Sequence, residues 1–252
     1  AEQHFRAGQV ARQAHAHEEA LEHFRQALQL LDRERQAELH FDLQEETAGI
    51  ETLQGGFGRA RERCRTVLAE CPADATLRRV RLLRRVSTTL EREHRHGEAL
   101  AVLDEAERTL EADLTVAEDF ADRERVELVN ARLWLHYWQG DVPAMESVIS
   151  ASEQLLERCG SRTQRRRFYT GKAAYLNRLD RFLPGAETLS ASREALRSSL
   201  SLESLADRAD GLFGHAFMLL LSDDPERAVE PLDRCLGFAE RLGDRTLLAR
   251  CR

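Results

Sequence analysis

Small residues recur along this chain at Ala20, Ala60, Ala99, Ala144, Ala186 and Ala228, each near the start of an amphipathic stretch. The steps between them are 40, 39, 45, 42 and 42 residues. A period of that length is one helix–turn–helix hairpin, which cannot bury its own apolar stripe and must stack on its neighbours. The ladder therefore predicts an all-α array of about six helical hairpins, an α-solenoid. Its expected units are residues 1–34, 35–72, 73–113, 114–159, 160–200 and 201–243, with the start of a seventh at 244–252.

Composition narrows the functions such an array can have. Charged residues make up 32% of the chain and aromatics 6%, with five prolines, which suits long surface helices. The net charge of −7 opposes a surface that must track phosphates and release counterions, so nucleic acid is not an expected partner. No run approaches the 18 or so apolar residues of a membrane span, and no membrane partner is expected. Cys64, Cys71, Cys159, Cys235 and Cys251 are odd in number and form no C-x-x-C pair, which argues against a disulfide framework or a zinc ribbon and for reduced thiols in a cytoplasmic protein. Lys172 is the sole lysine, and asparagine and isoleucine are nearly absent, a bias expected of a GC-rich, bacterial coding sequence. The start without methionine and the stop within RTLLARCR read as a fragment of a longer chain.

Within the first unit, Ala20, Phe24 and Ala27 share one helical face after Gly8. GGFGRARERCRTVL repeats the pattern with Ala60, Cys64 and Val67, HGEALAVLDEAERTL with Ala99, Leu103 and Ala106, and DDPERAVEPLDRCL with Ala228, Leu232 and Cys235. QGDVPAMESVI can be registered on Ala144 or Met145, and RFLPGAETLSAS on Gly185 or Ala186. Gly8, Ala48, Ser87, Ala173 and Ala216 are the expected small positions on the facing first helices. Asp141 and Asp224 are placed to cap helices, with Pro225 at a first helical position, while Cys71-Pro72, Cys159-Gly160 and Leu242-Gly243-Asp244 read as helix ends.

The small residue at Gly8 followed by HEEAL, Phe24 and Ala27 resembles the tetratricopeptide repeat. That resemblance implies a right-handed superhelix whose first helices line a concave groove for a protein, peptide or small-molecule ligand. Phrases such as HEEALEHFRQALQLL and LGDRTLLARC further resemble the helical-repeat regions of large bacterial signalling ATPases, either MalT-like regulators of the LuxR type or ATPases linked to nucleotide cyclases. The implied role is a partner-binding or ligand-sensing regulatory module in a signalling or transcription-regulating protein, with other domains of the parent chain among its partners. A stand-alone scaffold or adaptor is the alternative.

Chemistry finds little purchase in the sequence. Gly55-Gly56-Phe57-Gly58 lacks the lysine of a phosphate loop and reads as a turn, so no cofactor is expected. His15/His17 and His94/His96 fall in turns, where two imidazoles alone do not make a metal site. Glu18/Glu19 and Glu45/Glu46 read as solvated faces rather than a general acid and base. No cysteine has a base partner, and the segment is expected to be non-catalytic. Arg78, Arg79, Arg81, Arg84 and Arg85 form a basic helix face, with Arg165-Arg166-Arg167 a second run. Their expected partners are acids on neighbouring second helices, an anionic partner or the ATPase module of the parent chain, or nucleic acid. Trp134, Tyr137 and Trp138 share a face of a first helix and serve either as hairpin core or as a groove platform, in which case Tyr137, Trp138, Tyr169 and Lys172 are the candidate ligand contacts.

Overall fold

The computed structural model describes residues 1–14, 16–242 and 245–251; His15 and the expected helix end at Gly243-Asp244 lie outside them. Among the described residues are thirteen α-helices and no strand. They run as hairpins α1 (Glu2–Gln13) with α2 (His17–Gln29), α3 (Ala37–Leu53) with α4 (Phe57–Glu70), and α5 (Thr76–Arg92) with α6 (His96–Ala112). There follow α7 (Glu118–Gln139) with α8 (Val142–Cys159), α9 (Arg162–Leu179) with α10 (Ala186–Leu200), α11 (Leu205–Leu221) with α12 (Pro225–Leu242), and then α13 (Arg245–Cys251). No helix among the described residues is long and apolar enough to cross a membrane. The chain divides into two compact units, Ala1–Glu124 and Arg125–Arg252.

All six hairpins turn through the same hydrogen bond. An amide just past the first helix donates to the carbonyl five residues back: Ala16 to Ala11, Gly56 to Glu51, Arg95 to Leu90, Asp141 to His136, Phe182 to Asn177 and Asp224 to Leu219, at 2.7–3.0 Å. In the second to sixth hairpins it is the closing bond of a Schellman turn, which needs a left-handed residue between. Gly55 and Gly140 supply it at φ +81° and +73°. His94, Arg181 and Asp223 do so at φ +51° to +59°, without glycine's freedom. Asp141, Ser161 and Ser204 cap the following helices, Ser161 in a reciprocal capping box with Gln164.

The turn sets the ladder. Four residues after the donating amide stand Ala20, Ala60, Ala99, Met145 and Ala228, each wholly buried. In the fourth hairpin the rung is therefore Met145, and Ala144 is only half-buried; its amide is instead taken up by the Asp141 cap. In the fifth, Gly185 and Ala186 are both exposed, so neither of the two registers holds, because Leu183-Pro184-Gly185 lengthen the turn. Asp180 Oδ2 accepts from the Gly185 amide at 2.9 Å and from Thr188 Oγ1 at 2.8 Å, and the buried rung moves two residues on to Thr188. Gly8, Ala48, Ser87, Ala173 and Ala216 are buried as expected. A Cβ on Gly8 would run into the Phe24 ring, and Ser87 Oγ donates to the Ala99 carbonyl at 3.0 Å.

In the first unit an ionic layer joins the first helices. Arg78 of α5 reaches Glu38, Asp42 and Glu45 of α3 at 2.9, 2.8 and 3.1 Å. Arg81 and Arg85 close on Glu45 at 3.8 and 3.9 Å, and Arg84 meets Glu124 at 4.0 Å. The basic face is thus paired internally, but mainly with the first helix α3 rather than with the neighbouring second helices, because the α3 acids recur with the helical period on the side that meets α5. Arg79 donates to the Leu68 and Cys71 carbonyls at the end of α4. Glu45, expected on a solvated face, is buried; burial pushes its carboxyl up from the usual range and Arg81, Arg78 and Arg85 pull it back. Glu18 and Glu19 are exposed.

Two outcomes separate the rungs from their neighbours in denaturant unfolding. Ala99→Leu overpacks a closed contact and costs about 1–3 kcal/mol, whereas Ala186→Leu changes stability by less than about 0.5 kcal/mol. Arg78→Ala strips a buried carboxylate of its nearest partner and costs about 3 kcal/mol, while Arg81→Ala, at a longer and wetter pair, costs under about 1 kcal/mol.

Candidate functional site

In the second unit, α7, α9 and α11, with α10 and α13, enclose a cavity of about 370 Å³. Its walls follow from helical phase. Trp134 and Tyr137 come from α7, Arg166, Thr170, Ala173 and Ala174 from one flank of α9, and Gly211, Phe213, Gly214, His215, Phe217 and Met218 from α11. The floor is made of small side chains, including Ala195 and Ser192 of α10, and the rim of aromatic rings. A Cβ on Gly214 would meet nothing within 4 Å, so that position opens onto free space. Gly211, by contrast, is pressed against Ser199.

The rings are ordered by one another. Trp134 meets Tyr137 edge-on at 5.3 Å between centroids, and Phe213 stacks on Phe217 at 6.1 Å and 13°. Two guanidiniums lie over ring faces, Arg178 above Tyr137 at 4.1 Å and Arg250 of α13 above Phe213 at 4.0 Å. Arg166 is held by Asp207 at 2.8 Å. Ser192 Oγ donates to the Leu189 carbonyl at 2.9 Å, so the 2.8 Å contact with His215 is made by the imidazole Nδ1–H donating to Oγ. Nε2 is then left as an acceptor. Burial, with Arg193 and Arg227 nearby, pushes the His215 pKa below its ordinary value and keeps the ring neutral.

The four candidate contacts do not share this cavity. Tyr137 lines it, and Trp138, 55% exposed, stacks edge-on against Tyr137 at 5.1 Å outside its walls. Tyr169 and Lys172 line a different depression of about 260 Å³, with Leu176, Glu187 and Glu194. The reason is phase: Tyr169, Lys172 and Leu176 lie on one flank of α9, while Arg166, Thr170 and Ala173 lie on the other. Lys172 is also paired with Glu153. None of Trp134, Tyr137 and Trp138 is fully buried, and of the three Tyr137 packs on the core of Val126, Leu133, Phe168 and Tyr175. Phe213, Phe217 and Arg250 had drawn no notice from sequence, although Phe-x-x-x-Phe around Gly214 is a signal for rings on one face beside a gap.

The remaining candidates are structural. Gly55 and Gly56 make the α3–α4 turn, and Phe57 and Gly58 open α4. His94 and His96 approach at 5.9 Å between ring centroids, and no group of three or more metal-ligating side chains occurs among the described residues. The first unit has a polar cleft of about 300 Å³ in which Arg63 pairs with Glu51 at 2.9 Å. Arg33 donates to Glu70 there, and to His40 Nε2, at 2.9 Å each. Burial and Arg33 push the His40 pKa down.

No protein-family model and no curated protein matches the chain. Solved structures do match in fold. The crystal structure of BtubC (BKLC) from P. vanneervenii is 12% identical, with 93% of this chain and 92% of that one covered and a TM-score of 0.63. A Rap protein complexed with competence and sporulation factor is 13% identical, covering 96% of this chain and 75% of that one, also at 0.63. The likeness is one of architecture, tandem helical hairpins of the tetratricopeptide kind.

The two depressed histidines set a pH window. Unfolded imidazoles take up protons around the ordinary value of 6.5 while the folded ones resist, so their stabilisation is present above that pH and lost as pH falls below it. Urea midpoints measured at about pH 7.5 and about pH 5.5 fall for the wild type, and His215→Gln and His40→Gln each shrink that fall.

Proposed function

We propose that the chain is a binding and regulatory module without chemistry of its own, and that the cavity of the second unit takes a bulky side chain presented by a protein or peptide partner. The observation that carries this is the pairing of an aromatic rim with a floor of alanine, glycine, serine and threonine. Such a socket accepts an apolar anchor, and rigid rings supply contact area at small entropic cost. Tyr137 forms one wall, with Trp138 beside it on the surface. Tyr169 and Lys172 offer a neighbouring depression to a ligand that extends across α9. The Rap protein of the same fold, complexed with competence and sporulation factor, supports a partner-binding reading. We place the module in the cytoplasm, within a larger bacterial signalling ATPase. That setting rests on the resemblance of HEEALEHFRQALQLL and LGDRTLLARC to such regions, and the full reading frame that encodes the chain tests it.

The test is selection of displayed random peptides on the intact chain, followed by titration of each selected peptide against tryptophan fluorescence. Gly214→Leu adds bulk at a cavity-lining position where a Cβ meets no neighbour, so helical content stays and affinity falls at least about tenfold, the loss of one anchor contact of about 1.4 kcal/mol or more. Trp138→Phe serves as the control and retains binding. Selected peptides that bind Gly214→Leu as tightly as wild type, or no enriched peptide at all, refute the cavity as the site.

A further inference from the structure

Cys251, half-buried on α13, points its thiol at Cys235 of α12, the two sulfurs lying 3.3 Å apart. Cys235 is wholly buried and donates its own S–H to the Ala209 carbonyl at 3.3 Å. A sulfur lone pair of Cys235 is thereby left facing Cys251, whose S–H donates to it. Both belong to one apolar cluster with Ala209, Leu212, Ala239 and Leu247, so α13 rests on α12 at the point where the two sulfurs meet. The residue preceding Cys251 is Arg250, whose guanidinium covers Phe213 at the cavity.

We propose that Cys235 and Cys251 are a reversible disulfide site that locks α13 onto α12, with a low-molecular-weight disulfide such as oxidised glutathione as the oxidant. The accessible partner reacts first. The Cys251 thiolate attacks one sulfur of oxidised glutathione, forming a mixed disulfide and expelling one glutathione thiolate. Cys235, as thiolate, then attacks the Cys251 sulfur, forms the protein disulfide and expels the second glutathione thiolate. Two protein thiols lose two electrons and two protons, and one oxidised glutathione becomes two reduced glutathiones. Burial, reinforced by the Cys251 contact, pushes the Cys235 thiol up to about 12, so closure of the bridge is the slow step and quickens as pH rises. The bridge spans sixteen residues of chain and removes freedom from α13 once formed. It also holds Arg250 over Phe213; that consequence for binding rests on the cavity reading above, whereas the bridge itself does not.

The test equilibrates the intact chain in glutathione buffers of increasing oxidised fraction, traps free thiols by alkylation, and maps peptides without reduction. Support is a Cys235–Cys251 cross-link with loss of two of the five thiols, reversed by reduced glutathione, and slower amide exchange across α13 in the oxidised protein. Cys251→Ser then keeps all its thiols, and a variant with Cys64, Cys71 and Cys159 changed to serine still loses two. Retention of all thiols at the most oxidising ratio overturns the proposal. So does a bridge through another cysteine, arrest at the mixed disulfide on Cys251, or unchanged α13 exchange in the bridged protein. None of these readouts depends on a bound partner, so they stand apart from the peptide selection.

Discussion

The structure depends on how closely the two helices of a hairpin approach at the first turn of the second one. A six-to-one backbone bond closes the hairpins, and in all but the fifth it delivers a buried side chain into the contact four residues along the chain. There is room for little more than a methyl group at most of these rungs. Gly8 lies against Phe24 and Ser87 bonds the carbonyl of Ala99 itself. The same economy recurs between successive first helices, where Gly171 admits Leu133. Dense packing makes each contact intolerant of added volume, and that intolerance holds successive hairpins in register.

With the hairpins so fixed, the first helices are free to differ, and the two units use them differently. In the first, α3 and α5 are joined by Arg78 and its three carboxylates, with Glu45 enclosed beneath Arg81 and Arg85. Charges sequestered in this way are spent on each other, leaving little for a ligand. In the second, α7, α9 and α11 face each other across alanines and glycines with rings at the margin, and the space between them remains open. An apolar socket with a few oriented polar groups is the usual form of a binding site. The polar side chains lining this cavity include His215, anchored through Nδ1, Arg250, laid on Phe213, Arg166 and Asp210.

The repeat and its class were legible in the sequence because alanine, leucine and phenylalanine recur with the period of one hairpin, and a period survives without knowledge of the fold. The caps at Asp141 and Asp224 were legible for a similar reason: the hydrogen bond is local. Register failed where locality failed. RFLPG lengthens one turn by two residues, and only the Asp180 hydrogen bonds reveal that Thr188, not Ala186, enters the contact.

What the sequence by itself determined is therefore the periodic part: the all-helical hairpins, the small residues between paired helices, and an aromatic concentration at Trp134, Tyr137 and Trp138. Tertiary structure alone decided which faces meet. Tyr169 and Lys172 fall outside the cavity that Tyr137 lines because one residue along α9 turns a side chain by about 100°, which sets them off the flank of Thr170 and Ala173, while the neighbouring helices define which side is inside. Glu45 is buried because α5 brings arginines over it. Arg250 and Cys251 acquire Phe213 and Cys235 as neighbours only when α13 packs on α11 and α12. Helical period is encoded in residues three and four apart; a cavity is built from residues that only packing brings together.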